Sequence, residues 1–81
     1  MKCYIYRSRK QDEMYLYLRD RDDFSAVPAE LMRYFVNPVF VFELELTPAR
    51  QLARADVTQV MANLREHGYH LQPQPPREAL G

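Results

Sequence analysis

From Lys2 to Ser8, and again from Glu13 to Leu18, two classes of side chain alternate with a period of two: Lys-Cys-Tyr-Ile-Tyr-Arg-Ser, then Glu-Met-Tyr-Leu-Tyr-Leu. Successive side chains of a strand point to opposite faces, so this period in aromatic and branched residues predicts two strands, over 2–8 and 13–18. The polar Arg9-Lys10-Gln11-Asp12 between them predicts a four-residue hairpin loop. With Ser8 facing Glu13, Tyr6 stands opposite Tyr15, Tyr4 opposite Tyr17, Ile5 opposite Leu16 and Cys3 opposite Leu18. That register sorts tyrosines onto one face and aliphatics onto the other, whereas a slip of one residue mixes them on both.

Val27-Pro28 predicts a helix entry, with proline at the first helical position and Val27 held extended. The helix is expected over 28–36, with Leu31, Met32 and Phe35 on its buried stripe. Asn37-Pro38 stops it, asparagine accepting the left-handed conformation. Residues 39–46, Val-Phe-Val-Phe-Glu-Leu-Glu-Leu, form the strongest strand pattern of the chain. Phe40, Phe42, Leu44 and Leu46 are expected beside Cys3, Ile5, Leu16 and Leu18, which turns Glu43 and Glu45 toward the tyrosine face or its rim. Thr47-Pro48 predicts a short helical turn, and Asp56 with Gln59 has the spacing of a capping box. The apolar positions Val57, Val60, Met61 and Leu64 then fall on one face of a helix over 57–67, ended by Gly68. Tyr69 to Gln72 has room for a short edge strand. The expected order is β-β-α-β-α-α with a possible fourth strand, a small α/β (α+β) domain over 1–72 and a Pro-rich tail over 73–81.

Composition narrows this picture. The chain has 81 residues, 47% hydrophobic and 12% aromatic, with two glycines and one cysteine. At this size a single core supplies roughly 3–5 kcal/mol, so a monomer of low stability or a weak homodimer is expected. A lone Cys3 forms no intrachain disulfide, which favours a reducing compartment, the cytoplasm. The longest apolar run is Val39-Phe40-Val41-Phe42, so no membrane span is expected. Eleven basic and eleven acidic residues cancel, but Lys2, Arg7, Arg9 and Lys10 stand alone in the first ten positions. The field is local rather than chain-wide.

Tyr4, Tyr6, Tyr15 and Tyr17 beside Arg7, Arg9 and Lys10 have the ingredients of a sheet that stacks bases and holds phosphates. These seven residues are the candidate binding residues. Tyrosine also has high strand propensity, and core or half-buried packing is the better account of the four rings. Glu43 and Glu45 on the same side weaken the nucleic-acid case, because a carboxylate repels phosphate.

His67 and His70 lack a third ligand and a common face, and a histidine ending a helix suits the macrodipole. Asp20, Asp22 and Asp23 lack the central glycine and distal glutamate of a calcium loop. Cys3 sits on the expected core face with no cation to activate it. Two glycines leave no phosphate-cradling loop. No catalytic residues, metal site or cofactor are therefore expected.

The strings Tyr4-Ile5-Tyr6-Arg7-Ser8, Tyr15-Leu16-Tyr17, Asp22-Asp23-Phe24-Ser25, Val27-Pro28 with Glu30-Leu31-Met32, Ala55-Asp56-Val57, Gly68-Tyr69 and Leu71-Gln72, closing on the proline run, resemble the YcgL family of small proteobacterial proteins. The order and spacing of these strings carry the resemblance from Lys2 to about Glu78. It implies a compact α/β/α sandwich on a small sheet, hence a covered tyrosine face. The family has no established activity, no cofactor and no agreed functional residues, so the resemblance assigns no catalytic or binding role to any position. The expected function is a non-enzymatic interaction module that uses a sheet edge or the hairpin end around Arg7 to Lys10 to contact a protein partner. The alternative is RNA binding, or an accessory role in RNA metabolism, through the basic loop and any open tyrosines.

Overall fold

A computed structural model describes residues 1–10, 14–49 and 56–72, in the order β1 (Lys2–Arg7), β2 (Tyr15–Leu18), α1 (Ala29–Met32), β3 (Val39–Glu45), α2 (Val57–His67) and β4 (Tyr69–Gln72). The four strands make one antiparallel sheet, ordered β3-β1-β2-β4. The short strand expected over 69–72 is thus present, on the edge beside β2. The helical turn expected after Thr47 lies in part outside the described residues, at 50–55, and the tail over 73–81 lies wholly outside them.

The hairpin register differs from the expected one by a residue. Ile5 faces Tyr17, Tyr6 faces Leu16, Tyr4 faces Leu18 and Arg7 faces Tyr15, and the Ser8 amide donates to the Met14 carbonyl. The loop expected over 9–12 lies in part outside the described residues. A slipped strand is usually penalised because it turns an apolar set to water. Here no face is turned to water: both are covered, and tyrosine and aliphatic side chains are equally acceptable on either. The actual pairing sets a ring against a smaller side chain on each face, with Tyr17 against Ile5 on one and Tyr6 against Leu16 on the other.

The two faces therefore have mixed cores. On one side Cys3, Ile5, Tyr17, Leu44 and Leu46 pack under Val57, Val60 and Leu64 of α2, with Phe42, Val41, Tyr15 and Met61 at the margin. On the other side Tyr6, Leu16 and Leu18 pack under Val27 and Phe35, with Tyr4, Met14, Phe24, Leu31, Met32, Tyr69 and Leu71 around them. Leu16 and Leu18 are thus separated from Cys3 and Ile5. Phe42 and Leu44 stand beside Ile5 and Cys3 as expected, but Phe40 stands beside Tyr6. The cause is a bulge: Ile5 faces Phe42 and Tyr6 faces Phe40, so Val41 is an extra residue and the alternation of β3 changes phase. Glu43 faces Tyr4 and Glu45 faces Lys2, on the Tyr6 side of the sheet.

α2 follows the sequence closely. The Asp56 carboxylate accepts from the Thr58 amide at 2.9 Å, capping one of the orphan donors of the first turn. The Gln59 side-chain amide donates to Asn63 at 3.0 Å. Gly68 ends the helix in the left-handed region at φ 86°, its amide donating to Leu64 O. A β-carbon there would lie 2.9 Å from Ala26 Cβ, so the position excludes a side chain on two grounds. α1 is shorter than expected, a single turn from Ala29 to Met32, with Pro28 as the cap and not the first helical residue. After it the chain tightens into turns closed by Tyr34 N to Leu31 O and Phe35 N to Met32 O, which drop Phe35 into the core. Asn37, at φ 50°, then takes the left-handed conformation that reverses the chain into β3.

Candidate functional site

The structure divides the seven candidate residues among different surroundings. Tyr17 is 1% exposed beneath α2, and Tyr6 is 2% exposed on the opposite face. Tyr15 and Tyr4 are half-buried, again on opposite faces. The four rings therefore form no single platform. Arg7, Arg9 and Lys10 are exposed together at the hairpin end of the sheet.

Each buried ring has a structural task. The Tyr6 hydroxyl donates to Asp22 Oδ1 at 2.7 Å and accepts from the Asp22 amide at 2.8 Å. Burial, and then the hydrogen bond to that carboxylate, hold the phenol above its ordinary pKa. The Tyr6 ring meets Phe24 and Phe40 edge-on, at 4.9 and 5.5 Å between centroids. The Tyr17 phenol is also pushed up, by burial first. Its ring meets the His70 imidazole edge-on at 5.5 Å.

His70 belongs to a polar string that ties α2 to β4. The Asn63 amide nitrogen lies 2.9 Å from His70 Nδ1, and His70 Nε2 lies 3.2 Å from Gln72 Oε1. A neutral ring carrying its proton on Nε2 satisfies both contacts. Burial lowers the His70 pKa, the hydrogen bond to Gln72 opposing it in part. His67 lies exposed in the last turn of α2, and no group of three metal-ligating side chains occurs among the described residues. Asp20, Asp22 and Asp23 serve separate roles: Asp20 pairs with Arg19 at 3.1 Å, Asp22 clamps Tyr6, and Asp23 accepts from the Ser25 amide at 3.1 Å. Those Ser25 bonds hold the Asp23 carboxyl below its ordinary range.

The hairpin end has a geometry that the sequence did not announce. The buried Ser8 hydroxyl donates to the Tyr34 carbonyl and accepts from the Lys10 amide at 3.0 Å. Arg9 Nε donates to the Asn37 carbonyl at 2.7 Å, and Arg7 faces Val39 across the ladder. These contacts fasten the end of β1 to residues 34–39. The exposed large hydrophobic side chains of the described residues, Tyr34, Val36 and Phe40, all fall in and beside that segment. Ser8 carried no motif, so only the folded chain reveals it as the latch between the basic loop and this apolar segment. Arg7, Arg9, Lys10 and Arg33 make no ion pair among the described residues.

A small four-stranded antiparallel sheet covered on both faces defines an α+β domain. Residues 3–75 match the YcgL domain family. The chain is 47% identical over 78 residues to a YcgL domain-containing protein of Thioalkalivibrio sulfidiphilus, covering 96% of each. It is 49% identical over 80 residues to one of Yersinia enterocolitica, covering 99% of this chain and 89% of the relative. A Pseudomonas putida relative is 50% identical over 76 residues, covering 94% and 77%. The chain belongs to the YcgL family. No helix among the described residues is long and apolar enough to cross a membrane.

Proposed function

We propose that this domain is a non-enzymatic, cytoplasmic interaction module that takes a protein partner at the hairpin-end corner. The observation that carries the reading is the pinning of Tyr34, Val36 and Phe40 beside Arg7, Arg9 and Lys10. Apolar anchors rimmed by arginines are the usual composition of a protein-binding surface, in which a few side chains carry most of the energy. The corner is held by backbone carbonyls of Tyr34 and Asn37, so it is formed before a partner arrives and its ordering cost is already met within the fold.

Immobilised protein and two surface variants, Val36→Asp and Lys10→Glu, test the reading in cell lysate at moderate salt. Both positions are exposed, so the variants keep the fold. A protein retained by the parent and lost from both variants is the expected result. Retention of the same proteins by all three, or of none, contradicts the reading.

The second reading is single-stranded RNA on the same corner, favoured by a cluster of arginines with no carboxylate partner among the described residues and by the exposed Tyr34 ring. A strand there meets Tyr4 from one face of the sheet or Tyr15 from the other, not the four rings at once. RNA binding must weaken by orders of magnitude between about 50 and 200 mM salt, and an interaction that ignores salt excludes it.

A further inference from the structure

The strand order places β3 at the edge of the sheet, where its outer side pairs with nothing among the described residues. It has seven residues, more than any other strand of the sheet, and spans about 20 Å. An unpaired edge of this length is a template for another strand.

Charge is distributed along that edge in a particular way. At its beginning Arg21 lies over the Phe40 ring, 4.4 Å from the centroid, on the face that also carries Tyr6. At its other end Glu43 and Glu45 stand on the same face, opposite Tyr4 and Lys2. Glu43 meets Lys2 Nζ at 3.4 Å and Glu45 meets the N-terminal ammonium at 2.7 Å. Both carboxylates bond through Oε2, and their side chains are still 45% and 55% exposed. Arg21 is 58% exposed and lies 4.0 Å from Asp22, a long contact in water. One face of one edge thus has a cation at the start and carboxylates at the finish.

We propose that the β3 edge pairs antiparallel with β3 of a second copy of this chain, setting Arg21 of each copy against Glu43 and Glu45 of the other. Antiparallel pairing about a twofold axis is the arrangement that brings opposite charges together at both ends, and a parallel one sets like against like. The same arrangement covers Phe40. The formal net charge of zero leaves no overall repulsion between copies, and a domain of this size gains from a partner subunit. The Val41 bulge interrupts the ladder and keeps the association weak. Phe40 is common to this edge and to the hairpin-end corner, but Arg21, Glu43 and Glu45 belong to the edge alone, so this inference goes beyond the proposed function and is tested by separate variants.

Sedimentation equilibrium of the purified chain, from about 10 µM to about 1 mM, tests it together with Arg21→Glu, Glu43→Arg and the double variant. The expected result is a dimer for the parent, a dissociation constant raised about fivefold or more in each single variant, and recovery in the double variant, where the charges are exchanged. Added salt is expected to weaken the parent dimer. Thermal melts establish that each variant is folded. A monomer throughout the range overturns the proposal, as does a dimer that ignores the charge changes, or a double variant no tighter than the singles. Weakened self-association with partner capture intact would leave the hairpin-end reading standing, and the reverse would leave this one standing.

Discussion

Tyr6 and Asp22, sixteen residues apart, exchange two hydrogen bonds: the phenol donates to the carboxylate at 2.7 Å and accepts from the backbone amide at 2.8 Å. The pair fastens the charged connection after β2 onto the central strand, and Asp22 adopts a left-handed φ of 60° to do it. Hydrogen bonds to a charged group contribute about 1.5–3 kcal/mol, and a buried donor left alone costs a similar amount. Tyr6→Phe is therefore expected to destabilise the domain by about 1–3 kcal/mol in urea unfolding. Asp22→Ala is expected to cost more than Asp22→Asn, because alanine loses the acceptor and tolerates the left-handed region less well.

Gly68 couples helix termination to packing. Gly68→Ala puts a β-carbon into the left-handed region and within 2.9 Å of Ala26 Cβ. The conformational term alone is about 1 kcal/mol, and the close approach adds to it. Unfolding should report a loss above that figure, and Ala26→Gly in the same chain should recover the steric part.

The position of His70 makes stability depend on pH near neutrality. Its folded pKa lies below the ordinary 6.5, chiefly through burial, so the unfolded chain takes up the proton first. The contribution of the neutral ring is complete above pH 6.5 and is lost as pH falls from there through the folded value. A protonated Nδ1 would also present a second donor to the Asn63 amide. Denaturant midpoints measured from pH 7.5 down to 5.5 should fall, and His70→Gln should flatten that part of the profile. Tyr17 acts with the opposite sign at the alkaline end: its folded pKa is raised above 10.0, so stability present below pH 10 is lost as pH rises.

Much of this fold is legible in the sequence because certain elements carry signals at both ends. α2 has an aspartate to cap it, apolar residues at three- and four-residue spacing, and a glycine to stop it, and the helix occupies the expected residues. Asn37 and the short β4 were legible for the same kind of reason. The hairpin register was not. Alternation identifies a buried face only when the other face is polar, and here Tyr, Ile, Leu and Cys suit either side. The bulge at Val41 left no trace, since Val-Phe-Val-Phe reads as unbroken alternation. The corner of the candidate site was legible only in its cations: Arg7, Arg9 and Lys10 are visible in the chain, but Tyr34, Val36 and Phe40 come to them through contacts between residues about 26 to 34 positions apart.

The tyrosines are divided between two covered faces, Tyr15 and Tyr17 on one and Tyr4 and Tyr6 on the other. Side-chain nuclear Overhauser effects across β1 and β2 would measure this division. The expected contacts are those of the Ile5 methyls with the Tyr17 ring and of the Leu16 methyls with the Tyr6 ring. Contacts of the Tyr6 ring with Tyr15, and of Ile5 with Leu16, would contradict it and restore a single tyrosine face.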